Sequence, residues 1–168
     1  PVGVAGAGAG PGWVLGDTLG RGGGGGIVVG GRILVGAQHI AGEWGHNPLP
    51  RPGPAERPGP ACYCGRRGCI ETFLSGPGLA RDHRAATREE RSPEAIGVAA
   101  REGDRAARAT LERYVDRLGR SLAGVGNILD PEVVVLGGGV SNLPGLADSA
   151  PRALEPHVFT DEPTTRVA

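Results

Sequence analysis

Lysine and methionine are absent from this chain, and cysteine and aromatic residues are scarce. All 18 basic residues are arginines, and they balance 18 acidic residues, so the chain carries no net charge. A neutral chain has no electrostatic preference for nucleic acid or for an anionic membrane surface. The sequence contains no apolar run as long as a membrane span and does not open with a secretory leader. We therefore expect a cytoplasmic protein with neither nucleic acid nor membrane as a partner.

Methionine is missing even at position 1, which leads us to expect that the chain is a fragment whose true start lies upstream. Its 168 residues suffice for one domain with a buried core. The 32 glycines and 15 prolines are concentrated in short stretches, chiefly 22–26, 137–139 and 48–60. Disorder is therefore expected only locally, foremost in a proline-rich loop over 50–61.

The three cysteines lie together at Cys62, Cys64 and Cys69, sixteen residues and more after His46. Three thiols and one imidazole form a complete tetrahedral ligand set for Zn²⁺, and an odd number of cysteines argues against a disulfide framework. Four protein ligands leave no open position, so the predicted zinc is structural rather than catalytic. The alternative is three unrelated thiols and a surface histidine.

The segment pattern predicts an α/β domain. A strand is expected over 14–19, a hairpin of 27–29 with 32–35 around Gly30 and Gly31, and a buried strand over 133–136. A helix is expected over 71–82 with a break or restart at Pro77, and another from about residue 143. The clearest helix runs from Asp104, its expected N-cap, to residue 129, because apolar residues recur there at three- and four-residue steps.

Two glycine-rich stretches are candidates for binding phosphate. The first, 20–26, is expected to be a loop between two strands whose backbone N–H groups could cradle phosphate oxygens. The second, Gly137–Gly139, follows a buried strand, where α/β sheets bind ligands. The first stretch is neither a P-loop, because it lacks the lysine, nor a Rossmann fingerprint, because no helix follows it. For the second stretch, tight packing between strand and helix is an equally good explanation.

Two carboxylates flank the predicted zinc ligands in the sequence. Glu43 lies three residues before His46, and Glu71 lies two residues after Cys69. If the metal site closes, both acids are held near one point, and paired acceptors suit the vicinal hydroxyls of a sugar. His46 could bind zinc through one ring nitrogen and offer the other to a ligand. The alternative is that both acids are exposed carboxylates or hydrogen-bond partners within the loop.

These residues also resemble a known family. The run Gly42-Glu-Trp-Gly-His-Asn-Pro-Leu-Pro50 and the run from Cys62 through Glu71 to Gly76 closely resemble the ROK group of sugar kinases and repressors. The first run looks most like the bacterial ATP-dependent fructokinases of that group. The stretches 127–131 and 133–142 are similar to a later signature of the family, and the resemblance extends over about 6–167.

The resemblance implies an actin/hexokinase-type, ribonuclease H-like fold, of which residues 1–168 are one partial domain, the larger C-terminal lobe. It implies a kinase that transfers the γ-phosphoryl group of MgATP to a hexose, most simply fructose, and a homodimer in the full-length form. The implied cofactors are structural Zn²⁺ and Mg²⁺ with ATP. The implied sites are the sugar contacts Glu43, His46 and Glu71, the zinc ligands His46, Cys62, Cys64 and Cys69, and the ATP contacts Gly20, Gly22, Gly24, Gly25, Gly26, Gly138 and Gly139.

The chain departs from the family pattern in three ways. Arg21 stands where the first glycine loop usually has threonine. The sequence lacks two motifs of the family: the Asn-Asp-Ala motif, which carries the catalytic aspartate, and the phosphate-binding motif of the first lobe. Asp17 is not expected to replace the catalytic aspartate, because it lies within a predicted strand. The resemblance also leads us to expect a final family segment that the sequence up to Ala168 does not include. We therefore expect this chain to bind zinc without kinase turnover.

Two alternatives to a kinase stay open. A sugar-responsive ROK repressor would share the zinc motif and much of this domain, but it needs a DNA-binding module, which these residues do not provide. The chain could also be a remnant without a stable fold, in which the apolar face of the 104–129 helix has no cover.

Overall fold

One mixed β-sheet forms the centre of the molecule. The computed structural model describes residues 10, 12–20 and 22–168, so the predicted effect of Arg21 lies outside the described residues. The sheet has five strands in the order β3-β2-β1-β4-β5. The strands are β1 Trp13–Leu19, β2 Gly23–Val29, β3 Arg32–Ile33, β4 Val133–Gly137 and β5 Arg166–Val167. β1 pairs antiparallel with β2 and parallel with β4, which confirms the expected α/β class.

The predicted hairpin is present with the turn that its sequence indicates. Gly30 and Gly31 both have positive φ angles, +54° and +75°, as a tight primed turn requires. Val29 pairs with Arg32 directly across this turn. The second strand of the hairpin is shorter than predicted: β3 ends at Ile33, and the chain leaves the sheet after the Leu34 N–H donates to the Ile27 carbonyl of β2 at 2.8 Å.

Five α-helices lie between the strands of the described chain, four between β3 and β4 and one between β4 and β5. They are α1 Glu71–Leu74, α2 Gly76–Thr87, α3 Pro93–Arg101, α4 Arg105–Leu129 and α5 Leu146–Leu154. The predicted break near Pro77 is confirmed: Ser75 caps α2 by accepting a hydrogen bond from the Gly78 N–H at 3.2 Å, and Pro77 lies in the first turn. α3 and β5 were not predicted, and the helix expected from residue 143 begins only at Leu146.

Helix α4 packs its apolar stripe into the main core. Asp104 caps it as expected, accepting from the N–H groups of Ala106 and Ala107 at 2.9 and 3.0 Å. The buried members of the stripe belong to one core cluster with residues of β1, β4 and the neighbouring helices, so this face is covered, unlike in the alternative of a remnant without a stable fold. They are Ala107, Tyr114, Leu118 and Leu122. None of the helices in the described part of the chain has the combined length and apolar character that crossing a bilayer takes.

The proline-rich segment is fastened to α4 by ion pairs, contrary to the expectation of a mobile loop. The Glu56 carboxylate accepts from Arg117 Nε at 2.7 Å and from Arg120 Nη2 at 2.9 Å. Arg120 also donates to the backbone carbonyls of Pro50 and Arg51 at 2.7 and 3.0 Å. The Glu56 and Arg117 side chains are only 12% and 8% exposed, so this ion-pair network, the Glu56 clasp, is largely shielded from water. It fixes the chain between His46 and Cys62 against the helix.

The Glu56 clasp should stabilise the fold at neutral pH and lose this contribution in acid. Burial alone would raise the pKa of Glu56, but hydrogen bonds from Arg117 and Arg120 lower it from 4.5 to about 2. Because the folded-state pKa is depressed, the contribution is present above the unfolded value and is lost as pH falls through the folded value. We expect Glu56→Gln to destabilise the fold at pH 7 by about 2 kcal/mol, since it removes the carboxylate that two shielded guanidinium groups share. Arg117 then keeps only Asp82 as an acidic partner, and Arg120 keeps only Asp116. Urea denaturation measures this loss.

The matched control is Glu112→Gln, which changes an exposed acid on α4 itself and should alter stability by less than about 0.5 kcal/mol. The difference between wild type and Glu56→Gln should shrink as pH falls from about 5 toward 2. Equal losses for both variants, or a difference that does not change with pH, would contradict the clasp.

Candidate functional site

The four predicted zinc ligands lie together. His46 ends a short 3₁₀ helix, Trp44–His46, and the three cysteines follow on a tight knuckle. The Cys62 N–H donates to the Arg66 carbonyl at 2.8 Å, and Gly65 and Gly68 take positive φ angles of +86° and +72°. These two glycines allow the chain to reverse, as their positions in the sequence indicated.

Backbone pairing joins the histidine segment to the knuckle. Pro48 bridges to Cys69, the Ile70 N–H donates to the Asn47 carbonyl at 2.9 Å, and the Leu49 N–H donates to the Gly68 carbonyl at 2.9 Å. The separation of 16 residues between His46 and Cys62 is therefore spanned by ordered pairing and by the Glu56 clasp. Protein contacts, and not a metal alone, therefore hold the four ligand residues close to one another.

The geometry of the donor set fits a zinc ion. The ligand atoms of His46, Cys62, Cys64 and Cys69 all lie within 4.8 Å of one another. Cys64 Sγ is 3.6 Å from Cys69 Sγ, and His46 Nδ1 is 3.6 Å from Cys62 Sγ. Ligand atoms at the corners of a tetrahedron with zinc–sulfur distances of about 2.3 Å are separated by about 3.8 Å. Three sulfurs and one nitrogen at this spacing could hold Zn²⁺ with little rearrangement.

The thiols have unequal acidities in the metal-free arrangement. Burial and the hydrogen bond to Glu71 raise the pKa of Cys62, and burial also raises the pKa of Cys69. The Arg66 backbone N–H lowers the pKa of Cys64. Zinc binds thiolates, so its binding would displace protons from the cluster and its affinity would rise with pH.

The two ring nitrogens of His46 face different partners. Nδ1 lies on the side of the sulfur cluster and is 3.6 Å from Glu71 Oε1. Nε2 lies 2.8 Å from the hydroxyl of Tyr63, whose ring meets the imidazole edge to face at a centroid distance of 5.0 Å. The sequence placed Tyr63 between two ligands but gave no sign that it contacts His46.

The two predicted sugar carboxylates lie beside the glycine strand. Glu71 is buried at the start of α1, with Oε1 2.9 Å from Cys62 Sγ, whereas Glu43 is exposed. A Cβ atom added at Gly22 would lie 3.4 Å from Glu71 Oε2, and one added at Gly24 would lie 3.8 Å from Glu43 Oε1. Both acids therefore face one short backbone stretch without side chains. This arrangement offers two hydrogen-bond acceptors to a ligand above the strand.

The first glycine run is mainly a strand, contrary to the predicted loop. Gly23–Gly26 pair with β1, and only Gly20 and Gly22 belong to the turn. A Cβ atom at Gly45 would lie 1.8 Å from the Gly23 carbonyl oxygen, and one at Gly42 would lie 2.4 Å from the Gly25 carbonyl oxygen. The run thus lets the segment 42–46 lie directly on the sheet. A contact of Gly24, Gly25 or Gly26 with ATP stays a prediction.

The second glycine stretch lies next to the first at the same edge of the sheet. Thr18 pairs with Gly137, so the carboxyl ends of the parallel strands β1 and β4 are neighbours. Gly138 has a φ of +88°, and a Cβ atom there would lie 2.5 Å from the Leu19 carbonyl oxygen, whereas Gly139 has open space around it. The strand ends thus bring together Gly20, Gly22, Gly138 and Gly139 at an edge where such sheets bind ligands.

Asp17 is a buried acid to which the sequence assigned no role. Burial raises its pKa to about 7, although the nearby Trp44 side chain and Thr18 backbone act to lower it. Neither carboxylate oxygen makes a well-formed hydrogen bond to a described residue. It lies within β1, paired with Gly25 and Leu136, so the predicted strand position is confirmed.

Comparison with known proteins places these features in a family. A model of the ROK family matches residues 4–168. An N-acetyl-D-glucosamine kinase from Shigella boydii is 41% identical in an alignment of 152 residues that covers 85% of this chain and 50% of the relative. The chain therefore spans about half the length of the curated relatives it matches.

Solved structures share the fold. A ROK family glucokinase from Streptomyces griseus, solved with glucose and AMPPNP, has a TM-score of 0.83 and 30% identity over 96% of this chain and 56% of its own. A ROK family transcriptional regulator, a homologue of the Escherichia coli MLC protein, has a TM-score of 0.81 and 28% identity over 99% of this chain and 43% of its own. The fold alone thus does not separate a kinase from a regulator.

The cluster predicts a metal affinity that depends on His46. We expect His46→Asn to weaken Zn²⁺ binding by at least about 100-fold, because the tetrahedral set loses its only nitrogen. Competition with a chelator of known affinity measures the change, and Co²⁺ substitution reports tetrahedral thiolate coordination. His39→Asn is the control, since His39 is exposed on another loop and has a φ of +57° that asparagine tolerates. Equal affinity of the two variants would rule out His46 as a ligand.

The backbone contact predicts a steric cost at Gly45. Gly45→Ala should destabilise the fold by about 1–3 kcal/mol, because its methyl group would overlap the Gly23 carbonyl. Gly26→Ala is the control, as no atom lies within 4 Å of the added Cβ. Chemical denaturation of both variants measures the difference, and a loss at Gly26 as large as at Gly45 would contradict the close approach.

Proposed function

The chain belongs to the ROK family, and we propose that it forms the sugar-recognising part of an ATP-dependent sugar kinase. The proposal depends on one observation: Glu43, Glu71 and His46 lie beside the glycine-only stretch that begins β2, Gly23–Gly26. Ionised carboxylates accept hydrogen bonds from vicinal hydroxyls. Space for a sugar lies at Gly24 and Gly26, since a Cβ added at Gly24 would meet only the Glu43 carboxylate and one added at Gly26 would meet no atom within 4 Å. The zinc centre would hold His46 and the knuckle in place without taking part in the chemistry.

We propose N-acetylglucosamine as the sugar, in place of the fructose that the Gly42–Pro50 run suggests. Support comes from the curated relatives at 41% identity, which are N-acetyl-D-glucosamine kinases and not fructokinases. Acceptors that bind hydroxyl pairs do not by themselves distinguish hexoses that differ in a substituent elsewhere on the ring. Fructose and glucose are therefore the comparison ligands in any test.

We propose that the glycine edge of the sheet holds the phosphates of MgATP. Gly20 and Gly22 border β1, and Gly138 and Gly139 follow β4, so backbone N–H groups from two neighbouring strand ends could meet the nucleotide. A kinase of this kind works by positioning the γ-phosphoryl group and stabilising its charge with Mg²⁺ and backbone donors. The Asn-Asp-Ala motif is not among the 168 residues, so ligand binding rather than turnover is the appropriate measurement.

A second candidate is the effector domain of a sugar-responsive ROK regulator. The similarity to the regulator structure, at 28% identity, favours it, although the relatives at 41% identity are kinases. Titration with MgADP separates the two candidates, because a kinase must bind nucleotide at the glycine edge whereas a sugar sensor need not. The homodimer and the cytoplasmic location stay predictions.

The sugar proposal predicts a loss of binding at Glu43. Glu43→Gln should weaken N-acetylglucosamine binding by about 10-fold or more, since hydrogen bonds to a charged group contribute about 1.5–3 kcal/mol. Calorimetry or ligand-observed NMR with the zinc-loaded chain measures it, with fructose in parallel. Glu102→Gln, another exposed acid, is the control. Stronger binding of fructose would restore the fructokinase interpretation, and unaltered sugar affinity of Glu43→Gln would remove Glu43 from the site.

A further inference from the structure

We propose that Asp17 is a positioning residue for the segment 42–46: its carboxyl group accepts the indole N–H of Trp44 and thereby fixes this segment on the sheet. Asp17 and Trp44 are only 3% and 5% exposed, so both polar groups lie in the core. In the described chain, neither the Asp17 oxygens nor Trp44 Nε1 makes a well-formed hydrogen bond to another group. Buried polar groups are rarely left unpaired, and here a donor and an acceptor are left over together.

The register of β1 and β2 places the two groups beside each other. Asp17 faces Gly25 across the two strands. The Gly25 N–H donates to the Gly42 carbonyl at 2.9 Å, away from β1, so Asp17 and Gly25 form a non-hydrogen-bonded pair. The side-chain positions of such a pair are about 5 Å apart. Because a Cβ atom at Gly25 would lie 3.0 Å from Trp44 Nε1, the indole nitrogen occupies the space opposite Asp17 that a side chain at position 25 would fill.

The other groups near Asp17 leave the indole as its side-chain donor. Tyr114 is close enough for the Asp17 charge to raise its pKa, but the Tyr114 hydroxyl already donates to the Leu74 carbonyl at 2.8 Å. The Thr18 backbone and the Trp44 indole both stabilise the ionised form of Asp17 against the effect of burial. A carboxyl group can accept a hydrogen bond in either protonation state, so the contact does not depend on the charge of Asp17.

The contact sets the orientation of Trp44 and therefore of its neighbours. The Trp44 carbonyl accepts from the Asn47 N–H at 2.9 Å, and the Glu43 N–H donates to the Ile40 carbonyl at 3.1 Å. A rotation of the buried indole would therefore strain the backbone on both sides of it. The effect on a sugar rests on the proposed function, in which Glu43 binds the sugar hydroxyls.

The contact can be tested without sugar by NMR of the indole N–H groups in the zinc-loaded chain, which has two tryptophans. The Trp44 N–H should resonate downfield and exchange slowly with solvent, whereas Trp13, which is 41% exposed, is the reference for an accessible indole. Asp17→Val removes the acceptor and keeps a side chain of similar size that suits a strand. This variant should lose the downfield shift and the protection of Trp44, and the backbone N–H groups of Glu43 and Asn47 should exchange faster.

Asp17→Asn is the matched control, because its amide oxygen still accepts, and it should keep the wild-type indole signal. A Trp44 N–H that exchanges as fast as that of Trp13 in the wild type would overturn the proposal. The same Trp44 signal in Asp17→Val as in the wild type would also overturn it.

Sugar affinity provides a second test. The dissociation constant of N-acetylglucosamine should rise about 5-fold or more in Asp17→Val and less than about 2-fold in Asp17→Asn. In a Trp44→Phe background, where the indole N–H is already absent, Asp17→Val should have little further effect. Equal losses from Asp17→Val in both backgrounds would contradict an action through Trp44. A wild-type chain that binds no sugar would contradict the proposed function, and the indole signals would still decide the role of Asp17.

Discussion

The arrangement of the site depends on a close backbone contact between the glycine-rich strand β2 and the segment 42–46. The segment 42–46 rests on β2 at distances that exclude even a methyl group at Gly42 or Gly45. Trp44 is buried there as an anchor, and its neighbours Glu43 and His46 are held at the surface of the sheet. The same chain then pairs with Cys69 through Pro48, so the sheet, the acids and the sulfur cluster form one continuous unit.

Local patterns were enough to predict what depends on local chemistry. The spacing of three cysteines, the apolar period of α4 and the Gly30-Gly31 turn each reflect constraints within a few residues. The glycine strand was missed because glycine is normally depleted from strands, and the backbone that packs on it comes about 20 residues later. The Glu56 clasp joins residues 61 and 64 positions apart, which no periodicity reveals. Helix α3 was missed although Ser92 and Pro93 supply a recognisable start signal, and β5 has only two residues.

The zinc set and the carboxylates have separate tasks in the proposed site. A closed set of four protein ligands gives the metal no position for substrate, so its contribution is the shape of the knuckle. Recognition would fall to oxygen atoms that lie outside this set, along the strand edge. Kinases and regulators share the fold of this part of the chain. Within these residues, the two classes can therefore be distinguished only by the chemistry at the strand edge and not by the architecture.

The choice of guanidinium groups at the clasp has a consequence for the chemical durability of the molecule. Arginine keeps its charge far into the alkaline range, where the ε-ammonium group of lysine becomes neutral. The ion pairs that attach the 50–61 segment should therefore persist at alkaline pH, because Arg117 and Arg120 stay charged there. Because the sequence contains no lysine, reagents and enzymes that acylate ε-amino groups have no such group to modify in it.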